Sequence, residues 1–313
     1  MSPENLHNII KEYSAEMGFV AYGSIPVSEF HKDASYLRQY LDMGYNASMS
    51  YLEKNFQIRE NPGLLLEGAK SIMVFLASYK PDKRNKPEVP VIASYAFGRD
   101  YHSVIKNRLN LVAKKLKEYM PGIRYRVFTD SAPIFERAAA VASGLGFIGR
   151  NTFLISKEHG LHTLIGVIIT DAIVPYNSDI VSNGCGTCRR CLDTCPTGAL
   201  AGEFMLDARR CISYQTIESK YSFNEQEFKI DRSGRIFGCD ICLEVCPWAV
   251  KGKPGSWEEF KPLAYKDGKD ITLMNSDDWL QMEEQEFKEF FGESSLLRAG
   301  LARIKDNVLN SRL

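Results

Sequence analysis

Apolar positions recur at helical spacing in two N-terminal stretches, 1 to 20 and 27 to 43, with turn signals at Gly23 and Gly44. Two helices are predicted there. The next stretch, YLEKNFQIRENPGLLLEGAKSIMVFLASY, begins as helix and loop and ends in an unbroken apolar run, Ser71 to Tyr79, between Gly68 and Pro81. Such a run predicts a buried strand. KPDKRNKPEVP, polar and rich in proline, predicts a mobile loop, and VIASYAF, about residues 91 to 97, a second strand. DYHSVIKNRLNLVAKKLKEYMPG has the period of an amphipathic helix that stops at Pro121-Gly122, and YRVFTD reads as a strand ending at Asp130. SAPIFERAAAVASG predicts a helix entered near Asp130 and stopped by Gly144, and HTLIGVIITD, 162 to 171, a further strand. After Pro254 the chain turns acidic and helical, with a basic end, LLRAGLARIKDNVLNSRL.

This mixture predicts an α+β fold class in three parts. A mixed α/β domain is expected over 1–175, a mostly helical domain bound by its cysteines over 176–255, and a short helical C-terminal extension over 256–313.

Composition narrows the chemistry. A chain of 313 residues with 44% hydrophobic content has the length of about two domains and can bury a sizeable core. Thirty-nine basic residues balance thirty-nine acidic ones, so contact with nucleic acid must come from local patches and not from a global field. MSPENLHNIIKEYSAEMGF lacks the basic and apolar regions of a signal peptide. The apolar runs SIMVFLASY and LIGVIIT fall short of the roughly 20 residues that cross a membrane. The expectation is a cytoplasmic protein with no membrane partner, a compartment in which clustered cysteines are ligands more often than disulfides.

All eight cysteines fall within a 62-residue window. Cys185, Cys188, Cys191 and Cys195, followed by Pro196, match the bacterial ferredoxin run C-x2-C-x2-C-x3-C-P, in which the fourth cysteine ligates the other cluster. Cys239, Cys242 and Cys246, followed by Pro247, form a run one cysteine short, and Cys211 in RRCISYQT replaces the missing one. Reciprocal exchange puts Cys185, Cys188, Cys191 and Cys246 on one 4Fe-4S cluster, and Cys195, Cys211, Cys239 and Cys242 on the other. Two zinc sites are the competing reading, though zinc does not account for two C-x3-C-P endings. Two clusters carry single electrons, so the acceptor or the chemistry belongs to the rest of the chain.

Other motifs are weaker. GLGFIG, Gly144 to Gly149, has the letters of a dinucleotide fingerprint but follows a helix, and reads as a helix C-cap with a tight turn. Asp130 ends a strand, and the residues by themselves make it a helix cap before a catalytic acid. Arg59 reads as a solvated surface residue. DYHSVI begins like the D-x-H-x-x-G signature of some cobalamin proteins, with Ile105 in place of the glycine, and reads as a helix start.

Taken in order, TDSAPIFERAAAVASGLGFIGRNTFLI, CGTCRRCLDTCPTGAL, RRCISYQTIE and RIFGCDICLEVCPW closely resemble the epoxyqueuosine reductase family, over about residues 45 to 250. The two cysteine groups, the lone CISY cysteine and the Asp130-x5-Glu136-Arg137 segment all coincide. The resemblance implies a cobalamin-dependent, two-cluster oxidoreductase, related to reductive dehalogenases, whose 1–175 domain binds cobalamin. It implies queuosine biosynthesis: electrons from an external low-potential donor pass through the clusters to give cob(I)alamin, which reduces epoxyqueuosine to queuosine in the tRNA anticodon loop. By the same resemblance Asp130 is the proton donor, a neutral carboxylic acid that meets the charge on the departing oxygen. Arg59, Ala93, Leu154, Ile165, Ser213 and Asp240, with Asp130 itself, are implied cobalamin contacts.

Longer members carry C-terminal helical repeats, whereas this chain stops about 65 residues after Cys246. Lys83, Arg84, Lys86, Arg189, Arg190, Arg209 and Arg210 are then candidate phosphate contacts. A monomer is expected. Two alternatives remain, a corrinoid-dependent dehalogenase-like reductase and a ferredoxin-like electron carrier without a substrate of its own.

Overall fold

The apolar run at Ser71–Ser78 becomes an interior strand of a four-stranded sheet, in a computed structural model that describes residues 3–86, 88–176 and 179–311. The first half holds α1 (Pro3–Glu16), β1 (Ala21–Pro26), α2 (His31–Asp42), α3 (Phe56–Glu60), β2 (Ser71–Ser78), β3 (Val91–Ile92), α4 (Tyr101–Tyr119) and β4 (Tyr125–Phe128). Then come α5 (Glu136–Ala142), β5 (Phe147–Ile148), β6 (Leu154–Ile155), β7 (Thr163–Thr170), α6 (Arg190–Thr194), β8 (Arg235–Phe237), α7 (Ile241–Glu244), α8 (Ser276–Gln281), α9 (Glu284–Phe291) and α10 (Gly300–Leu309). The sheet order is β1-β2-β7-β4 with every pairing antiparallel, an α+β arrangement.

Every residue of β2 is buried, and alternation sends Met73, Phe75 and Ala77 to one face and Ile72, Val74 and Leu76 to the other. α1 and α4 cover the first face, where Ile105, Leu109 and Val112 repeat at helical spacing. α5 covers the second with Ala139 and Ala140. Small residues there let the helix approach the sheet closely.

The strand at β1 departs from the expected helix-and-turn. Gly23 lies within the strand and not in a turn, because a Cβ there would stand 2.6 Å from the Ser143 carbonyl oxygen at the end of α5. Pairing with β2 over six residues outweighs the weak local pattern of AYGSIP. VIASYAF is extended only at Val91–Ile92, which pairs in parallel with β8, and then turns at Ser94–Ala96. α5 starts at Glu136 and not near Asp130, since the residue before Pro133 is barred from helical backbone. Gly144 does end α5 as expected, at φ +77°. Pro87, in the proline-rich loop, lies outside the described residues.

The C-terminal segment packs into the body of the molecule. Trp279, Phe287, Phe291, Leu296 and Ile304 enclose Ile92, Ile236 and Phe237 in one core. Asn307 of α10 is fully buried, and its Nδ2 donates to the carbonyls of Thr216 at 2.9 Å and Ile236 at 2.8 Å while Oδ1 accepts from Arg232 Nη1 at 2.7 Å. Among the described residues no helix is long and apolar enough to cross a membrane.

Asn307→Ala strands three buried polar groups and should lower stability by about 3 kcal/mol or more, because each group left without its partner bears its desolvation cost uncompensated. Denaturant unfolding of the cluster-loaded protein measures it; a loss below about 1 kcal/mol would remove Asn307 from the account of the fold.

Candidate active site

β4 delivers Asp130. At its end Thr129 Oγ1 donates to the Ile165 carbonyl at 2.8 Å, and the next residue, Asp130, takes φ +56° in the left-handed region. Asp130 does not cap α5, whose N-cap is Phe135 with no side-chain cap. The bond runs the other way: the Asp130 amide donates to Glu136 Oε1 at 2.6 Å. Its carboxylate accepts from the Tyr101 hydroxyl and lies 3.4 Å from His102 Nε2, while its side chain stays 56% exposed. Tyr101 and His102 open α4, where Asp100 is the N-cap and accepts from the His102 amide at 3.0 Å. His102 Nδ1 also sits 2.7 Å from Asp100 Oδ1, so one imidazole bridges two carboxylates.

Charge follows from these contacts. Burial raises the Asp130 carboxyl, but the hydrogen bonds of His102 and Tyr101 and the charges of His102 and Arg137 outweigh it, giving about 2. Burial works against the His102 cation, yet Asp100 and Asp130 together lift it to about 9. Glu136, raised by burial and next by the Asp130 charge, reaches about 8. The resting site therefore differs from the neutral Asp130 expected from the sequence. These contacts favour the Asp130 carboxylate and the protonated forms of its neighbours His102 and Glu136.

The eight cysteines fall into two spatial groups. Burial, and behind it the neighbouring Cys246 and Cys185, raises the Cys191 thiol, and Cys246 in turn feels Cys185 and Cys188. Cys242, raised by burial, feels Cys239, Cys211 and Cys195, and burial pushes Cys239 up to about 12 with Cys211 beside it. Among the described residues no three Cys, His, Asp or Glu side chains converge as a single metal ion would require. The stretch after Cys211 forms a π-helix, Tyr214–Glu218, with Ser213 as its N-cap.

The other expected cofactor contacts line parts of the same region. Ser94, next to Ala93, donates from its amide and its hydroxyl to Asp240 Oδ2, both at 2.7 Å. Leu154 and Ile165 belong to the apolar cluster of Phe128 and Ala139. Arg59 is not the solvated residue its local sequence suggests: it is half-buried near Tyr51 and Glu136, and its Nε is buried without a partner. Of the expected phosphate contacts, Lys83 pairs with Asp270 at 3.2 Å, Arg189 with Asp193 at 3.5 Å and Arg209 with Asp207 at 2.8 Å, while Arg210 lies over the Phe228 ring. The residues missed from the sequence are Tyr101, whose hydroxyl no motif announces, and His102, for which the D-x-H spacing was the available signal.

Residues 59–131 match the family model described as epoxyqueuosine reductase QueG, DUF1730, and residues 184–249 match that of a 4Fe-4S double cluster binding domain. The second match decides for clusters over zinc. The chain is 35% identical over 302 residues to the epoxyqueuosine reductase of Cyclobacterium marinum, covering 96% of this chain and 94% of that one. It is 35% identical over 315 residues to that of Pseudomonas aeruginosa, covering 98% and 84%. These alignments reach well beyond residues 45 to 250. Among solved structures, an epoxyqueuosine reductase with a tRNA-Tyr epoxyqueuosine-modified stem loop superposes with a TM-score of 0.89 at 29% identity, over 99% of this chain and 81% of that one. The Bacillus subtilis epoxyqueuosine reductase, with its catalytic loop swung out of the active site, gives 0.87 at 28% identity, over 99% and 82%.

A group whose folded value is raised contributes stability in full below its unfolded value, near 6.5 for histidine, and loses it as pH rises through the folded value. For His102 that window runs from about 6.5 to about 9. The stability gap between the wild type and His102→Gln should therefore be widest near pH 6 and close by about pH 9.5, read by denaturant unfolding; a gap constant with pH would show that His102 does not bind its extra proton here.

Proposed function

The chain belongs to the epoxyqueuosine reductase family, and on that premise we propose that it reduces epoxyqueuosine to queuosine at the wobble position of tRNA in the cytoplasm. The epoxide oxygen leaves as water, which consumes two electrons and two protons. The observation that carries this reading is the set of groups around Asp130: the Tyr101 hydroxyl donates to its carboxylate, His102 Nε2 lies 3.4 Å from the same oxygen, and Glu136 Oε1 accepts from its amide, contacts that favour the protonated forms of His102 and Glu136. A ferredoxin-like carrier has no use for such a set.

Each residue has a part. Expelling the epoxide oxygen builds negative charge on it, and a proton donor within hydrogen-bond reach is worth on the order of 10²–10⁴ in rate. Asp130, more than half exposed, faces the incoming oxygen and hands on a proton received from His102 Nε2, with Tyr101 orienting the same carboxylate oxygen. Asp100 holds the imidazole through Nδ1 and stabilises its charge. Glu136 fixes the Asp130 backbone and holds the second proton. Cys185, Cys188, Cys191 and Cys246 would hold one 4Fe-4S cluster and Cys195, Cys211, Cys239 and Cys242 the other, and such a pair would supply single electrons taken from an external low-potential donor. The protein acts as a monomer.

Cobalamin, when bound, supplies a strongly reducing and nucleophilic cobalt centre for the epoxide. The residues suit it: Arg59 has an unpartnered buried donor, Ile165 is a partly exposed apolar side chain backed by the buried Leu154 in the same cluster, and Ala93, Ser213 and Asp240 stand beside the cysteine region. Among the described residues nothing else satisfies Arg59 Nε.

Anaerobically reconstituted protein, given cobalamin, a strong reductant and tRNA carrying epoxyqueuosine, should yield queuosine by nucleoside mass spectrometry, and only with cobalamin present. Absence of conversion with full clusters and bound cobalamin would overturn the reading. Asp130→Asn should retain about eight irons per chain and the cobalamin spectrum while turnover drops at least about a hundredfold; near-normal turnover would end its role. Cys211→Ala should lower the iron count while the first group of four keeps its cluster. With the wild type, turnover should decline as pH rises through about 8 to 9, where Glu136 and His102 lose their protons.

A further inference from the structure

Two side chains at the mouth of the Asp130 site have no part in the chemistry above. Tyr51, on the turn Ser50–Leu52, is 45% exposed, and Arg298, on the turn Ser295–Arg298 of the C-terminal segment, is 49% exposed. They are neighbours. The Tyr51 phenol, raised by burial, also feels Glu218, Arg298 and Asp130, and Arg298 feels Glu218, Tyr51, Asp130 and Tyr101. Arg298 Nη2 donates to Glu218 Oε2 at 2.8 Å, from the last residue of the π-helix that follows Cys211.

An exposed aromatic beside an arginine matches the chemistry of an unpaired nucleotide. The ring face takes a base by stacking, and the guanidinium takes a phosphate. A guanidinium has five N–H donors, and Glu218 engages Nη2 alone, so the pair fixes Arg298 in place and leaves donors for a second anion. The wobble base must enter the site while its neighbours remain outside. A flanking nucleotide of the anticodon loop therefore meets the rim at which Tyr51 and Arg298 stand.

We propose that Tyr51 and Arg298 form a grip for one unpaired anticodon-loop nucleotide next to the modified base, Tyr51 as the stacking face and Arg298 as the phosphate contact, with Glu218 positioning Arg298. This rests on the tRNA substrate of the proposed function. It also gives the C-terminal segment a direct part in holding RNA.

The test is binding of a fluorescently labelled tRNA anticodon stem-loop to the cluster-loaded protein, measured by anisotropy over a range of salt. Tyr51→Ala should weaken binding by about five- to hundredfold, and Tyr51→Phe, which keeps the ring, by less than about twofold. Arg298→Gln should weaken binding and reduce the salt slope by about 1. Glu218→Gln separates an RNA contact from a merely structural ion pair: it removes the same ion pair as Arg298→Gln but keeps a side-chain carbonyl that can accept from Arg298 Nη2 and hold it in place, so binding should stay close to that of the wild type. Lys114→Gln, on an exposed residue about 19 Å along α4 from Tyr101, serves as control and should match the wild type. Equal losses for Glu218→Gln and Arg298→Gln, or unchanged binding for Tyr51→Ala and Arg298→Gln, would overturn the grip while leaving the reductase reading intact. A wild type that binds no stem-loop would overturn both.

Discussion

Two residues of parallel pairing, Val91 with Arg235 and Ile92 with Phe237, tie the sheet half of the molecule to the cysteine half. So short a ladder is weak alone and persists because Ile92, Ile236 and Phe237 are sealed under Trp279, Phe287, Phe291 and Ile304. Directly beyond it the Ala93 amide donates to the Phe237 carbonyl at 2.8 Å, and Ser94 binds Asp240 twice. Only glycine fits at 238, where φ is +72° and a Cβ would stand 2.6 Å from that of Ala93. The register that buries Ile92 therefore also presses Cys239 and Asp240 against the segment that leads into α4. Cysteine groups and proton-handling site owe their mutual placement to a core that the C-terminal helices complete.

At the site itself the low value of Asp130 and the high value of His102 express one ion pair. Burial opposes the His102 cation, but the hydrogen bonds and charges of Asp100 and Asp130 both favour it and outweigh that cost. Burial, and next the like charge of Asp130, favours the protonated form of Glu136. Left-handed backbone at Asp130 costs about 1 kcal/mol, and the amide bond to Glu136 and the bonds to its carboxylate offset that.

Features whose spacing is local were legible in the sequence. The cysteine runs, the period of α4 and the apolar runs of β2 and β7 each encode their structure within a few residues. β1 was not legible, because Ala21–Pro26 contains both glycine and proline and becomes a strand only through its pairing with β2. Asp130 was identifiable, but its protonation was not: that depends on His102, and D-x-H reads correctly as a helix start. The N-cap that begins α4 and the carboxylate that orients His102 are the same residue, Asp100, so the structural motif masked the functional one.

Arg298 illustrates the deeper limit. Nothing in LLRAGLARIK points back to the site, and only folding of the C-terminal segment onto β3 and β8 returns that arginine to the Asp130 rim. Once there, its charge needs an anchor other than Asp130, because an arginine paired directly with that carboxylate would displace the His102 proton. Glu218 provides the anchor at 2.8 Å. Its position follows from the π-helix after Cys211, so the cysteine proposed as a ligand of the second cluster and the residue that anchors Arg298 lie on one short stretch of chain. Loss of order around Cys211 would then reach Arg298 and the proposed grip as well.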